Sequence, residues 1–175
     1  HINSTDASIR EIDPDTGVAA VKLTLPGRPV SLAVVGNQYA PGTYFQYGAG
    51  LAGTGGLMPA LVGGQGPRIG EPTQITAQQF VGGAPIYLIL GFAVQPLSFK
   101  GGKLLVQLGP TTSIWPLPTS GPAGVTGAGQ ITLPFVIPND PLLVGSQWYL
   151  QALGVDTGAP LGMSFTRGLA MYIGG

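Results

Sequence analysis

From about Thr43 to the C-terminus, clusters of glycine and proline cut this chain into short apolar runs at regular spacing, and that punctuation governs what it folds into. Proline lacks a backbone donor and fixes φ, while glycine weakens helices, so a chain divided this often has no room for long ones. Together the 30 glycines and 17 prolines exceed a quarter of the 175 residues. Such a share often accompanies disorder, but here 44% of residues are hydrophobic and 8% charged, the reverse of a disordered composition. The combination predicts an all-β fold: an antiparallel β-sandwich, jelly-roll-like, with helix a minor component. A chain of this length buries roughly 70% of its unfolded surface, so a core forms without staples.

Strands are expected at 43–47, 73–80, 85–93, 97–108 with a turn at Gly101-Gly102, 113–117, 130–137, 146–155 and 167–173. A short helical turn is expected in PNDPLLVG, where Asp140 caps and Pro141 takes the first position. In the run after Gly145, Trp148, Leu150 and Ala152 alternate with Gln147, Tyr149 and Gln151. The period predicts a core face carrying the first set and a water-facing side of amides and a phenol. Four of the seven acids (Asp6, Glu11, Asp13, Asp15) fall before residue 16. This divides the chain into an N-terminal β extension, 1–40, and a sandwich domain, 41–175. In the extension, SIREIDPDTGVAAVKLTL reads as a hairpin, with Pro14 and Gly17 suited to its turn. Ala19, Val21, Leu23 and Leu25, then Val30, Leu32 and Val34, repeat apolar residues at every second position. A hairpin alone cannot bury such faces, so these residues are expected at an interface between subunits.

Seven basic and seven acidic residues leave no net charge, which argues against nucleic acid as a partner and permits self-association. The longest apolar run, APIYLILGFAV, is strand-sized, so no membrane span is expected. With no cysteine there are no disulfides, thiolate metal sites or thiol nucleophiles. The start at His1 without an initiator methionine suggests a processed or a trimmed chain, and removal of a signal peptide would make it an exported one.

Chemistry-bearing residues are sparse. His1 resembles half of a copper brace, but the chain has a single histidine and a brace needs a second imidazole. Asp13 and Asp15 in DPDTG are too few for calcium and suit a turn. Beyond the N-terminal acids only Glu71, Asp140 and Asp156 remain for paired-carboxylate chemistry, and a serine triad would have only His1 as base. No enzyme activity, metal or cofactor is expected. Asn3-Ser4-Thr5 fits a glycosylation pattern. Among the aromatics Tyr44, Phe45, Tyr47, Trp115, Trp148, Tyr149 and Tyr172, core packing is the default, and Tyr149 is the candidate for stacking on a glycan.

The order of YGAG, GGAPIYLILGF, FKGGKLLVQL, ITLPFVIPNDPLLVGSQWYLQALGVDTGAP and RGLAMYIGG resembles a C-terminal module of large secreted proteins of planctomycete-like bacteria, over residues 47–175. VDTGAP departs from the DPGAP of that pattern. The resemblance implies a secreted β-sandwich and transfers no catalytic residue. The expected function is a secreted structural protein, at the cell surface or outside the cell, whose copies associate into a filament or layer by β-strand complementation. The alternative is a carbohydrate-binding or adhesion module, and a capsid subunit is a third, weakened by the lack of a basic arm.

Overall fold

The computed structural model describes Ser8–Ile12, Ala19–Thr24 and residues 42–175. The chain divides into two units, His1–Gly36 and Asn37–Gly175. In the first, β1 (Ser8–Ile12) and β2 (Ala19–Thr24) pair antiparallel, with Ile12 opposite Ala19, as the hairpin reading of this segment expects. The ladder slips between Ile9 and Arg10.

The second unit is all-β among its described residues. Its strands are β3 (Thr43–Tyr47), β4 (Ala60–Gly63), β5 (Pro72–Phe80), β6 (Pro85–Gly91), β7 (Val94–Phe99), β8 (Gly102–Val106), β9 (Ser113–Pro118), β10 (Gly129–Val136), β11 (Gln147–Val155), β12 (Met163–Phe165) and β13 (Gly168–Tyr172). The expected strands are all present within a few residues. β4 and β12 were not expected; at four and three residues they are too short to show a period.

A six-stranded sheet runs β3-β13-β11-β6-β9, with β12 also on β11, and packs against a three-stranded sheet, β10-β5-β4. All pairings between these strands are antiparallel, making a β-sandwich with unequal layers. Leu88, Leu150, Ala152, Leu169 and Met171 from the large sheet meet Leu61, Ile75, Ala77 and Phe80 from the small one. Gly154 lies on this seam beneath Phe80, where an added Cβ would come 2.3 Å from the ring.

β7 and β8 form a separate hairpin. Its loop is Lys100 and Gly101, one residue earlier than the expected Gly101-Gly102, both at positive φ (46° and 81°), the two-residue geometry that matches strand twist. This hairpin covers the other face of the large sheet: Leu104 and Val106 pack with Ile89, Leu153 and Phe165 in a second buried cluster. The central strands are therefore covered on both faces over most of their length, with Tyr87 left exposed, which accounts for the unbroken apolar run IYLIL in β6 where a one-sided strand would alternate.

The second layer corrects one expectation. Gln151, expected at the water-facing side of β11, is fully buried. Its Oε1 accepts from the Leu105 amide at 2.9 Å, and its Nε2 donates to the carbonyls of Lys103 (3.0 Å) and Thr166 (3.1 Å). The short turn is a 3-10 helix, Pro141–Leu143, and the Asp140 carboxylate accepts from the Leu142 amide at 2.9 Å.

Candidate functional site

The two margins of the sandwich differ. At the β3/β4 margin, side chains close it: the Tyr44 hydroxyl meets Thr73 Oγ1 at 2.9 Å, and Gln46 Nε2 donates to the Leu61 carbonyl at 3.3 Å. Thr73 Oγ1 gives its own proton to the Gln65 carbonyl at 2.7 Å, so the Tyr44 hydroxyl is the donor in that pair.

At the opposite margin, between β9 and β10, the layers stand open among the described residues. A groove of about 330 Å³ lies there, and its walls include Trp115 and Leu117 of β9, Leu133 and Phe135 of β10, and Trp148 of β11. All the lining residues are isoleucine, leucine, methionine, proline, phenylalanine or tryptophan. Water takes about 30 Å³ per molecule and needs polar partners to settle, so such a groove is poorly hydrated. Trp148, placed in the core by its alternation, is half-buried at this groove and meets Phe92 edge-on at 6.0 Å between ring centres. Trp115 is 43% exposed. A second apolar hollow of about 390 Å³ lies on the other face of the large sheet, with Leu97 and Phe99 of the hairpin, Tyr87 and Ile114 around it. β9 thus presents apolar side chains to a hollow on each side.

The free edges of β9 and β10 differ in the hydrogen bonds they leave unmade. Thr119 donates to the Ala84 carbonyl at 3.1 Å, so odd-numbered amides of β9 turn towards β6 and the even-numbered ones face out. Those are Ile114, Pro116 and Pro118, and only Ile114 has an N–H. On β10, Ile137 donates to Glu71 at 3.2 Å on the β5 side, and the Gln130 carbonyl, turned the other way, accepts from Ser120 at 2.8 Å. Its outward positions are therefore Thr132, Pro134 and Val136, which leaves two amide donors and three carbonyls. Proline on an edge strand is a common guard against uncontrolled pairing.

The residues singled out from the sequence are dispersed. Val21 and Leu23 lie in β2. Leu25, Val30, Leu32 and Val34 lie outside the described residues, as do His1, Asn3, Asp13 and Asp15. Tyr149 is half-buried; its hydroxyl donates to Gln147 Oε1 at 2.6 Å and its ring meets Tyr47 edge-on at 5.6 Å. The groove was not foreseen. Its tryptophans were visible as aromatics, but which strands stand opposite one another is a matter of long-range pairing.

Asp156 is almost fully buried and acts as a structural tie. Its carboxylate accepts from the Thr54 amide at 2.8 Å, from the Thr54 hydroxyl, and from the Gly158 amide at 3.1 Å. Burial by itself raises its carboxyl pKa, but the bonds from Thr54, Gly158 and Ala159 outweigh it and hold the group below its ordinary value. A carboxyl depressed in the folded state contributes stability that is complete above its unfolded pKa, near 3.8, and is lost as pH falls through the lower folded value. Urea midpoints should therefore drop as pH is lowered from about 5 to 2. Asp156→Asn should flatten that acid slope and lower the midpoint at pH 7, the loss being about 1.5–3 kcal/mol for bonds to a charged acceptor. An unchanged acid slope in the variant would show that the tie contributes little.

Among the described residues there is no group of three or more histidine, aspartate or glutamate side chains placed to hold a metal. None of their helices is long and apolar enough to cross a membrane. No protein-family model, curated protein or solved structure matches the chain.

Proposed function

We propose that this protein is a secreted structural subunit whose copies associate by strand complementation, an apolar strand from the N-terminal unit of one copy entering the open margin of the sandwich of the next. The single observation that carries the reading is the apolar groove between β9 and β10, which no described residue fills. In strand addition, main-chain hydrogen bonds combine with alternate side chains set into pockets. Each hydrogen bond contributes about 1 kcal/mol net and each buried Val or Leu about 1.5–3 kcal/mol, so the apolar side chains dominate. Two segments of the N-terminal unit carry the required period: Val21, Leu23 and Leu25, and Val30, Leu32 and Val34. Zero net charge removes repulsion between copies. The extracellular setting rests on the sequence resemblance to secreted modules.

A glycan reading finds less support, because apart from two indole N–H groups the side chains of the groove walls carry no hydrogen-bonding groups to fix a sugar's hydroxyls and the Tyr149 hydroxyl is already engaged.

Light scattering and electron microscopy of the purified chain should show assemblies. Removal of residues 1–38 should reduce them to monomers that lose the β1–β2 hairpin and keep the folded sandwich, since the sandwich core draws on later residues. A truncated chain that still assembles would overturn the proposal.

A further inference from the structure

We infer that β10, rather than β9, receives the incoming strand, and that segment 30–34 of a second copy is what it receives. The inference rests on the assembly reading and names the acceptor edge and the donor within it.

Three observations converge. First, a strand laid on β9 would find one outward amide, that of Ile114, whereas on β10 it would find those of Thr132 and Val136, with the carbonyls of Thr132, Pro134 and Val136. An added antiparallel strand needs donors and acceptors alternating along the edge, and β9 supplies acceptors almost alone. Second, Leu133 and Phe135 of β10 point into the groove and are only half-buried. A neighbour on β10 would set its own inward side chains between them and Trp115 and Leu117 across the gap. Third, segment 30–34 has Val, Leu and Val at alternate positions, with the small Ser31 and Ala33 between them, no charge, and Pro29 and Gly36 on either side. Segment 21–25 suits the role less well: Val21 and Leu23 already belong to β2, and Lys22 interrupts it.

The absence of cysteine makes a clean test. Three full-length single-cysteine variants, Ser31→Cys, Thr132→Cys and Ile114→Cys, are purified separately and mixed in pairs with a short bis-maleimide, which tolerates a small error in register. Cross-linked dimers should form at least fivefold more from Ser31→Cys with Thr132→Cys than from Ser31→Cys with Ile114→Cys. The Val136→Pro variant, which removes an outward amide and no bond to β5, should assemble at least tenfold less readily while its urea midpoint stays unchanged.

Assemblies that cross-link preferentially through Ile114→Cys, or that tolerate Val136→Pro, would overturn the choice of β10 and leave strand complementation standing. A Ser31→Cys/Thr132→Cys double variant that cross-links only within one chain, at monomer mass, would overturn the second copy as donor. Wild-type protein that remains monomeric on micrographs and in light scattering would sink the assembly reading and this inference with it.

Discussion

Replacing Gln151 with leucine should destabilise the sandwich unit by about 3–5 kcal/mol, a large effect for one side chain of ordinary size. The reason is what the substitution leaves behind. The Leu105 amide and the Thr166 carbonyl lose their partner in a buried setting, and the Lys103 carbonyl loses its own at the border of that setting. Each orphaned buried group costs about 1–3 kcal/mol, which the apolar gain of leucine does not offset. The same amide joins β11 to the hairpin and to Thr166, one of the two residues linking β12 with β13. Thr166 supports that crossing from the other side: its Oγ1 accepts from the Ala152 amide at 3.0 Å, and its own amide donates to the Ala152 carbonyl at 2.9 Å. Urea denaturation followed by tryptophan fluorescence measures the loss. A cost below about 1 kcal/mol would mean that the hairpin does not depend on this link.

Phe165→Ala should cost a comparable 3–5 kcal/mol, by a different mechanism. Phe165 has no solvent exposure, stacks on Phe99 with ring centres 6.3 Å apart, and lies so close to Gly102 that an added Cβ there would come 2.6 Å from its ring. Deleting it leaves a cavity between the hairpin and β12 that their backbones cannot close without breaking the β11–β12 ladder, where Leu153 opposes Phe165. Amide exchange in Gly102–Val106 should rise along with the global loss, because this ring and Gln151 are two of the anchors of that strand. Since both substitutions loosen one hairpin, the double variant should cost less than the sum of the two. Full additivity would argue that the two anchors act independently.

Much of the architecture is legible in the residues. Glycine and proline clusters separate the strands, FKGG forms the β7–β8 turn, and Asp140-Pro141 opens the 3-10 helix. The candidate site was less legible. Trp115, Leu117, Leu133 and Phe135 come from two consecutive strands that join different sheets, and nothing in their local pattern says that β9 and β10 would face each other across a gap. Pro116 and Pro134 fall inside the expected strands 113–117 and 130–137 and acquire their meaning as edge guards only once β6 and β5 are known to lie on one side of them.

Local sequence determined that this protein would be a set of short antiparallel strands, because backbone restriction and a period of two act within a few residues and need no distant partner. Tertiary structure alone decided which faces of those strands are wet. Alternation separates the two sides of β11 without saying what covers either: the three-stranded sheet took one, the β7–β8 hairpin took the other and drew Gln151 inside, and no described strand filled the margin between β9 and β10. Burial belongs to pairs of surfaces, and the second surface of each pair is chosen by long-range strand pairing.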